Sequence, residues 1–215
     1  MFDHYTSMIA EKVQGILQQH VPGPAQAYCF SLWLSSPFEL KLTRTRQTKV
    51  GDFTTKRHLK RPVITLNRDL NPYLFLTVYI HEVAHLYVHL KHGNRVEPHG
   101  EEWKNAFKQL MEPVMRDTIF PNEILRELVR HMANPKASSF ADVELTRVIR
   151  SFDKHADQYT ALSDIPEGSI FQFQGRYFKK GKLKRTRVLC CEVKTKRNYL
   201  VPAEVLVSDV QLSML

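Results

Sequence analysis

An α+β chain is what this sequence predicts, with a mainly helical first part that includes a small β-sheet, then a small all-β C-terminal domain. Three observations lead there. Apolar residues recur at helical spacing over most of the first 153 positions, interrupted by two short alternating stretches. After about residue 155 short alternating segments take over, punctuated by Gly168, Gly175 and Gly181. Finally, 215 residues with 43% hydrophobic and 10% aromatic content can bury a core, in one domain plus a small appendix. The expected domains are therefore 1–155 and 161–215.

The elements follow in order. Residues 5–20 form an amphipathic helix that ends at the Val21-Pro22-Gly23-Pro24 break, and Ala27–Leu34 continues as helix. Phe38–Leu42 alternates apolar and polar as a half-buried strand does. Gly51-Asp52 reads as a turn, and Val63–Leu66 as a second strand. Asn71-Pro72 is a helix start, because Asn caps and Pro is tolerated at the first helical position; Gly93 is the next natural stop. Pro98 begins another helical run, with His99, Trp103, Phe107 and Leu110 on one stripe, ending at Pro113. Asn122–Met132 and Ala141–Asp153 read as two further helices. Ile170–Gln174, Arg176–Phe178, Arg185–Val193, Tyr199–Val201 and Glu204–Val207 read as five short strands, enough for a small barrel.

The net charge of +9 points to polyanionic partners. The excess is local. Phe171–Leu200 holds ten Lys or Arg and one acid, Glu192, and Arg44–Arg61 holds seven against Asp52. The alternative for such runs is a solvated surface; their confinement to two short segments favours nucleic-acid contact. Lys179, Lys180, Lys182, Lys184, Arg185 and Arg187 are the expected contacts, with DNA the expected partner. Tyr177, Phe178 and Tyr199 could stack on bases, while Phe171 and Phe173 suit a core. No apolar run approaches the length of a membrane span, and the first twenty residues do not resemble a signal peptide. Cys29, Cys190 and Cys191 suggest reduced thiols, and a cytoplasmic location is expected.

The chemistry lies in His81-Glu82-Val83-Ala84-His85. Residues four apart on a helix share a face, so both imidazoles can point at one metal while Glu82 reaches a water beside it. With 10 histidines in the chain, such a string would arise by chance in roughly 3% of shuffled sequences, so context decides. Leu74, Val78, His81, His85 and Val88 fall on one apolar stripe, where unpaired imidazoles are costly; core histidines bonded to carbonyls are the alternative. A catalytic zinc wants a third protein ligand. His89 lies two turns past His81, about 12 Å along the axis and out of reach. Val88 and Lys91 stand where a metzincin has Gly and His. The chain from Gly93 to His99 can span about 20 Å and return, so His99 fits, with Glu101 or Glu102 as the alternative.

These residues resemble the SprT-like zinc metalloprotease family, related to the protease Spartan. The resemblance rests on HEVAH, the short spacer and PHGEEW. It extends back through RPVITLN and forward through IFPNEI and NPKASSFADVELTRVIRSFD, covering residues 1–155. It implies a zincin-like fold, one zinc ion on His81, His85 and His99, Glu82 as catalytic residue, and protein substrates attached to or crosslinked on DNA. It also implies an SH3-like barrel for the tail. Some bacterial members end in a zinc ribbon; this chain has no CxxC, so no second, structural zinc is expected. A nucleic-acid-binding protein whose zinc merely ties two helices together is the competing reading.

Overall fold

The Pro22-Gly23-Pro24 break places a 3-10 turn, Gly23–Ala25, between α1 (His4–His20) and α2 (Gln26–Ser35). This is seen in the computed structural model, which describes residues 4–46, 49–55, 61–136, 142–154, 159–203 and 205–212. The chain divides into two units, Met1–Phe152 and Asp153–Leu215.

In the first unit, β1 (Glu39–Thr43), β2 (Gly51–Thr54) and β3 (Val63–Asn67) form a sheet of order β1-β3-β2. β1 runs parallel to β3 and β2 antiparallel to it, so β2 is an edge strand. Gly51-Asp52, expected as a turn, instead opens β2. A Gly-Asp pair signals a turn only where nothing nearby needs the missing side chain, and here α3 packs against that glycine. Central to the unit is α3 (Pro72–His92). The Asn71 side chain accepts from the N–H groups of Tyr73 and Leu74, and Gly93 closes the helix at φ +62°. Its buried residues lie all round the helix, because the sheet covers one side while α1, α4 (Glu101–Met111) and α6 (Val143–Arg150) pack elsewhere. Tyr79 donates to the Cys29 carbonyl at 2.9 Å and the Asn71 amide to Ile149 at 2.9 Å, tying α3 to α2 and α6. α5 (Asn122–Ala133) lies against α6.

α4 begins at Glu101, later than expected. Gly100 is its N-cap residue, and Lys104 N–H donates to the Gly100 carbonyl, so Pro98 and His99 sit in the turn before the helix. The stripe of Trp103, Phe107 and Leu110 is nonetheless buried.

The second unit is a six-stranded sheet of order β4-β9-β5-β6-β7-β8, antiparallel at every pairing. Its strands are β4 (Thr160–Ala161), β5 (Ile170–Phe173), β6 (Arg176–Lys184), β7 (Arg187–Glu192), β8 (Asn198–Pro202) and β9 (Leu206–Gln211). β6 is far longer than the three residues expected, because its polar half carries no apolar alternation to mark it; Arg185 falls in the turn beyond it. Gln174 and Gly175, both at positive φ, make the two-residue connection of a tight hairpin between β5 and β6. Phe171, Phe178, Val188, Cys190, Val201 and Val207 fill the core. Phe178 is thus unavailable for stacking on a base, and Phe173 packs at the core margin. Cys190 is buried and Cys191 half-exposed, as neighbours on opposite faces of a strand must be.

Candidate metal centre

One turn of α3 separates His81 from His85, and the Gly93–Gly100 segment brings His99 back over them. His99 Nε2 lies 3.0 Å from His85 Nε2 and 3.4 Å from His81 Nε2. All three candidate ligand atoms fall within 4.8 Å of one another. Ligand nitrogens about 2.05 Å from a tetrahedral zinc stand roughly 3.3 Å apart, so these separations match the edges of such a site. Without a cation, one imidazole N–H can bridge such a pair, whereas a metal ion can accept all three lone pairs at once. The residues present therefore fit a three-histidine metal.

Burial makes the histidines good ligands. It depresses the His81 pKa well below its usual value, helped by His85, His99 and His131; it brings His85 down to about 4 and lowers His99. Neutral imidazoles with free lone pairs result. Trp103 packs against all three rings, at centroid distances of 4.6, 5.5 and 4.8 Å from His81, His85 and His99, and its indole N–H points to the His81 carbonyl at 3.4 Å. Phe107 stacks on Trp103 and meets His81 edge-on. The α4 stripe thus braces the cluster from one side.

Glu82 is 6% exposed. Burial, then the charge of Asp52, raises its pKa to about 8, against the Phe53 backbone N–H and the cations Arg46 and Lys49. A bound cation would favour its ionised form. Neither alternative third ligand joins the cluster: Glu101 is exposed and paired with Lys104 at 2.9 Å, and Glu102 is also exposed. His89 faces Phe53 at 5.8 Å rather than the trio, while Tyr87 bonds Ser35 at 2.7 Å.

The SprT-like family model matches residues 26–124, a stretch that includes all three histidines and Glu82. Over those residues the chain is similar to the SprT-like family. It is 32% identical to Protein SprT of Pseudomonas fluorescens strain Pf0-1 over 89 residues, 39% of this chain and 54% of the relative. It is 33% identical over 69 residues to Protein SprT of strain SBW25, 32% of this chain and 42% of the relative. The match thus spans about half the length of these curated SprT relatives. No solved structure matches the chain at comparable significance.

The basic residues expected at a nucleic-acid surface divide. Lys179, Lys182, Lys184, Arg185 and Arg187 are exposed on the second unit. Lys180 is not: it is 8% exposed, and its ammonium donates to the carbonyls of Ser163 at 3.0 Å and Ile165 at 2.5 Å. Strand alternation turns it inward, where its charge is satisfied by backbone oxygens, so it is a structural cation rather than a surface contact. In the earlier run, Arg46 is spent on Thr65 and Asn67; positions 47, 48 and 56–60 of that run lie outside the described residues. Residue-by-residue reading missed Gly51 and Phe53, which flank Glu82. Only the unexplained glycine at a strand start could have pointed to them.

Proposed function

We propose that this chain is a zinc-dependent endopeptidase of SprT type, acting on proteins bound to or crosslinked on DNA. The convergence of three neutral imidazoles beside a buried carboxylate carries the reading. Zinc, when bound by His81, His85 and His99, would supply Lewis acidity toward both a water and the scissile carbonyl. Glu82 takes the proton of the attacking water and hands it to the leaving amine. Its setting suits this, since burial raises the proton affinity of the carboxylate while a bound cation would keep it ionised and ready to accept. Trp103 and Phe107 hold the imidazoles in place and exclude water behind them. An arrangement serving only to tie helices together has no use for Glu82.

The DNA part rests on the exposed cations Lys179, Lys182, Lys184, Arg185 and Arg187, together with the net charge. Among the described residues no helix is long and apolar enough to cross a membrane. Purified protein loaded with zinc should cleave a DNA-bound protein, and Glu82→Gln should lower the rate by about 100-fold or more with zinc and DNA binding retained. If the unaltered protein, given zinc, DNA and DNA-bound protein, cleaves neither that substrate nor itself, the enzyme reading is lost. Cleavage indifferent to DNA and salt would instead indicate a general peptidase.

A further inference from the structure

Gly51 is the residue whose presence the fold does not explain by backbone conformation. It does not adopt a positive φ, so any residue could take its dihedral angles. What it lacks is room. A Cβ placed there would lie 2.5 Å from Val78 Cγ1, 2.6 Å from Glu82 Oε1 and 3.1 Å from Glu82 Cδ. The glycine therefore lets an edge strand lie against the carboxylate that the proposed reaction uses as its base.

Strand geometry supplies the second half. The Val50 carbonyl accepts from Asn67 N–H at 2.9 Å, which turns the backbone groups of Val50 toward β3. By alternation Asp52 and Thr54 also face β3, whereas Gly51 and Phe53 present theirs on the open side. The Phe53 N–H is thus free of the sheet on that open side, where as a nearby backbone donor it pulls the Glu82 pKa down against burial. The Phe53 ring meanwhile lies parallel to His85 with centroids 6.5 Å apart. One four-residue strand thus touches both the carboxylate and a candidate ligand.

We propose that β2 is the positioning element for the general base: Gly51 provides the seat of the Glu82 carboxylate by having no side chain, and the Phe53 N–H holds it there. The functional half rests on the peptidase reading; the seat itself rests on geometry. Neither residue is a catalytic group, since each acts through Glu82.

Two clashes await any Cβ at position 51, and they separate. Val78 is a stiff side chain on α3, whereas the Glu82 carboxylate is the free end of a flexible one. Gly51→Ala should therefore cost stability through Val78 and displace Glu82. Adding Val78→Ala removes the first clash and leaves the second. In Gly51→Ala/Val78→Ala, relative to Val78→Ala alone, the expected result is recovered thermal stability and full zinc content. Its kcat should be about 100-fold lower, the scale of a small misplacement, with KM unchanged. Recovery of kcat together with stability would mean that the glycine serves only the packing of β2 on α3, and the proposal would be overturned. Amide exchange judges the seat without any activity. The Phe53 N–H should be protected in the unaltered protein and exchange faster in Glu82→Ala and in the double variant, with Thr54 as internal reference. Equal Phe53 protection in all three overturns the seat. Should the unaltered protein cleave nothing, the peptidase reading fails, and the exchange rates alone confirm or refute the contact.

Discussion

His99 reaches the other two histidines from a turn rather than from a helix, held by Gly93 behind it and Gly100 ahead. A ligand on a turn is easily removed without unravelling its neighbours. His99→Ala should reduce zinc from one equivalent to a small fraction, measured on the purified protein, with the helical signal retained; unchanged content would exclude His99 as a ligand. Glu82 offers a test in the metal-free state. Its folded pKa of about 8 lies above the ordinary carboxyl value of 4.5, so its contribution to stability is intact below 4.5 and is lost as pH rises toward 8. Gln cannot ionise, so the melting temperature of Glu82→Gln should gain on that of the unaltered protein, both in chelator, as pH rises across that window. His85 has the opposite sign: with a folded pKa near 4 against 6.5, it withdraws stability as pH falls from 6.5 toward 4 in both proteins. A constant difference between the two melting curves would refute the buried carboxyl.

At the scale of the element, α3 bears most of the site and is fixed from both ends. Asn71 accepts from Tyr73 and Leu74 at 3.1 and 3.0 Å and donates to Ile149 at 2.9 Å, so one side chain caps α3 and clamps α6. Asn71→Ala should cost about 1–2 kcal/mol, the upper range for a lost cap. By thermal unfolding that is a fall of roughly 2–8 °C for a chain of this size. Asn71→Asp keeps the acceptor but loses the amide donor, and should fall between. In the second unit, Lys180 and Lys182 are near neighbours in sequence with different environments. Lys180→Ala strands two carbonyls and should destabilise the unit, whereas Lys182→Ala should leave melting unchanged and weaken DNA binding.

For the whole molecule the question is whether charge and chemistry act together. If exposed cations dock DNA, affinity must fall steeply with salt, and each phosphate contact removed should flatten the log–log slope by about 1. Replacing Lys179, Lys182, Lys184 and Arg187 with Ala should lower both DNA affinity and DNA-stimulated cleavage, leaving zinc content and basal cleavage intact. An unaltered salt slope would place the DNA surface elsewhere.

Much of this was legible in order along the chain, and the reason is local. The caps and stop of α3, the spacing of His81 and His85, and the alternation of β3 are each set within a turn or two by residues whose preferences agree. The span arithmetic to His99 needed only chain length and helix pitch. Three things were not legible. A polar strand such as the latter half of β6 lacks apolar alternation; a lysine such as Lys180 looks like any surface cation until partners surround it; and Gly51 reads as a turn until α3 lies against it. Each depends on neighbours distant in sequence. The sequence alone thus determined that His81 and His85 share one face and where their helix begins and ends, because those are short-range effects; it is the fold that brings His99, rather than Glu101 or Glu102, to them. Only tertiary packing decided which carbonyls Lys180 would satisfy, how dry Glu82 would be, and why a glycine had to face it.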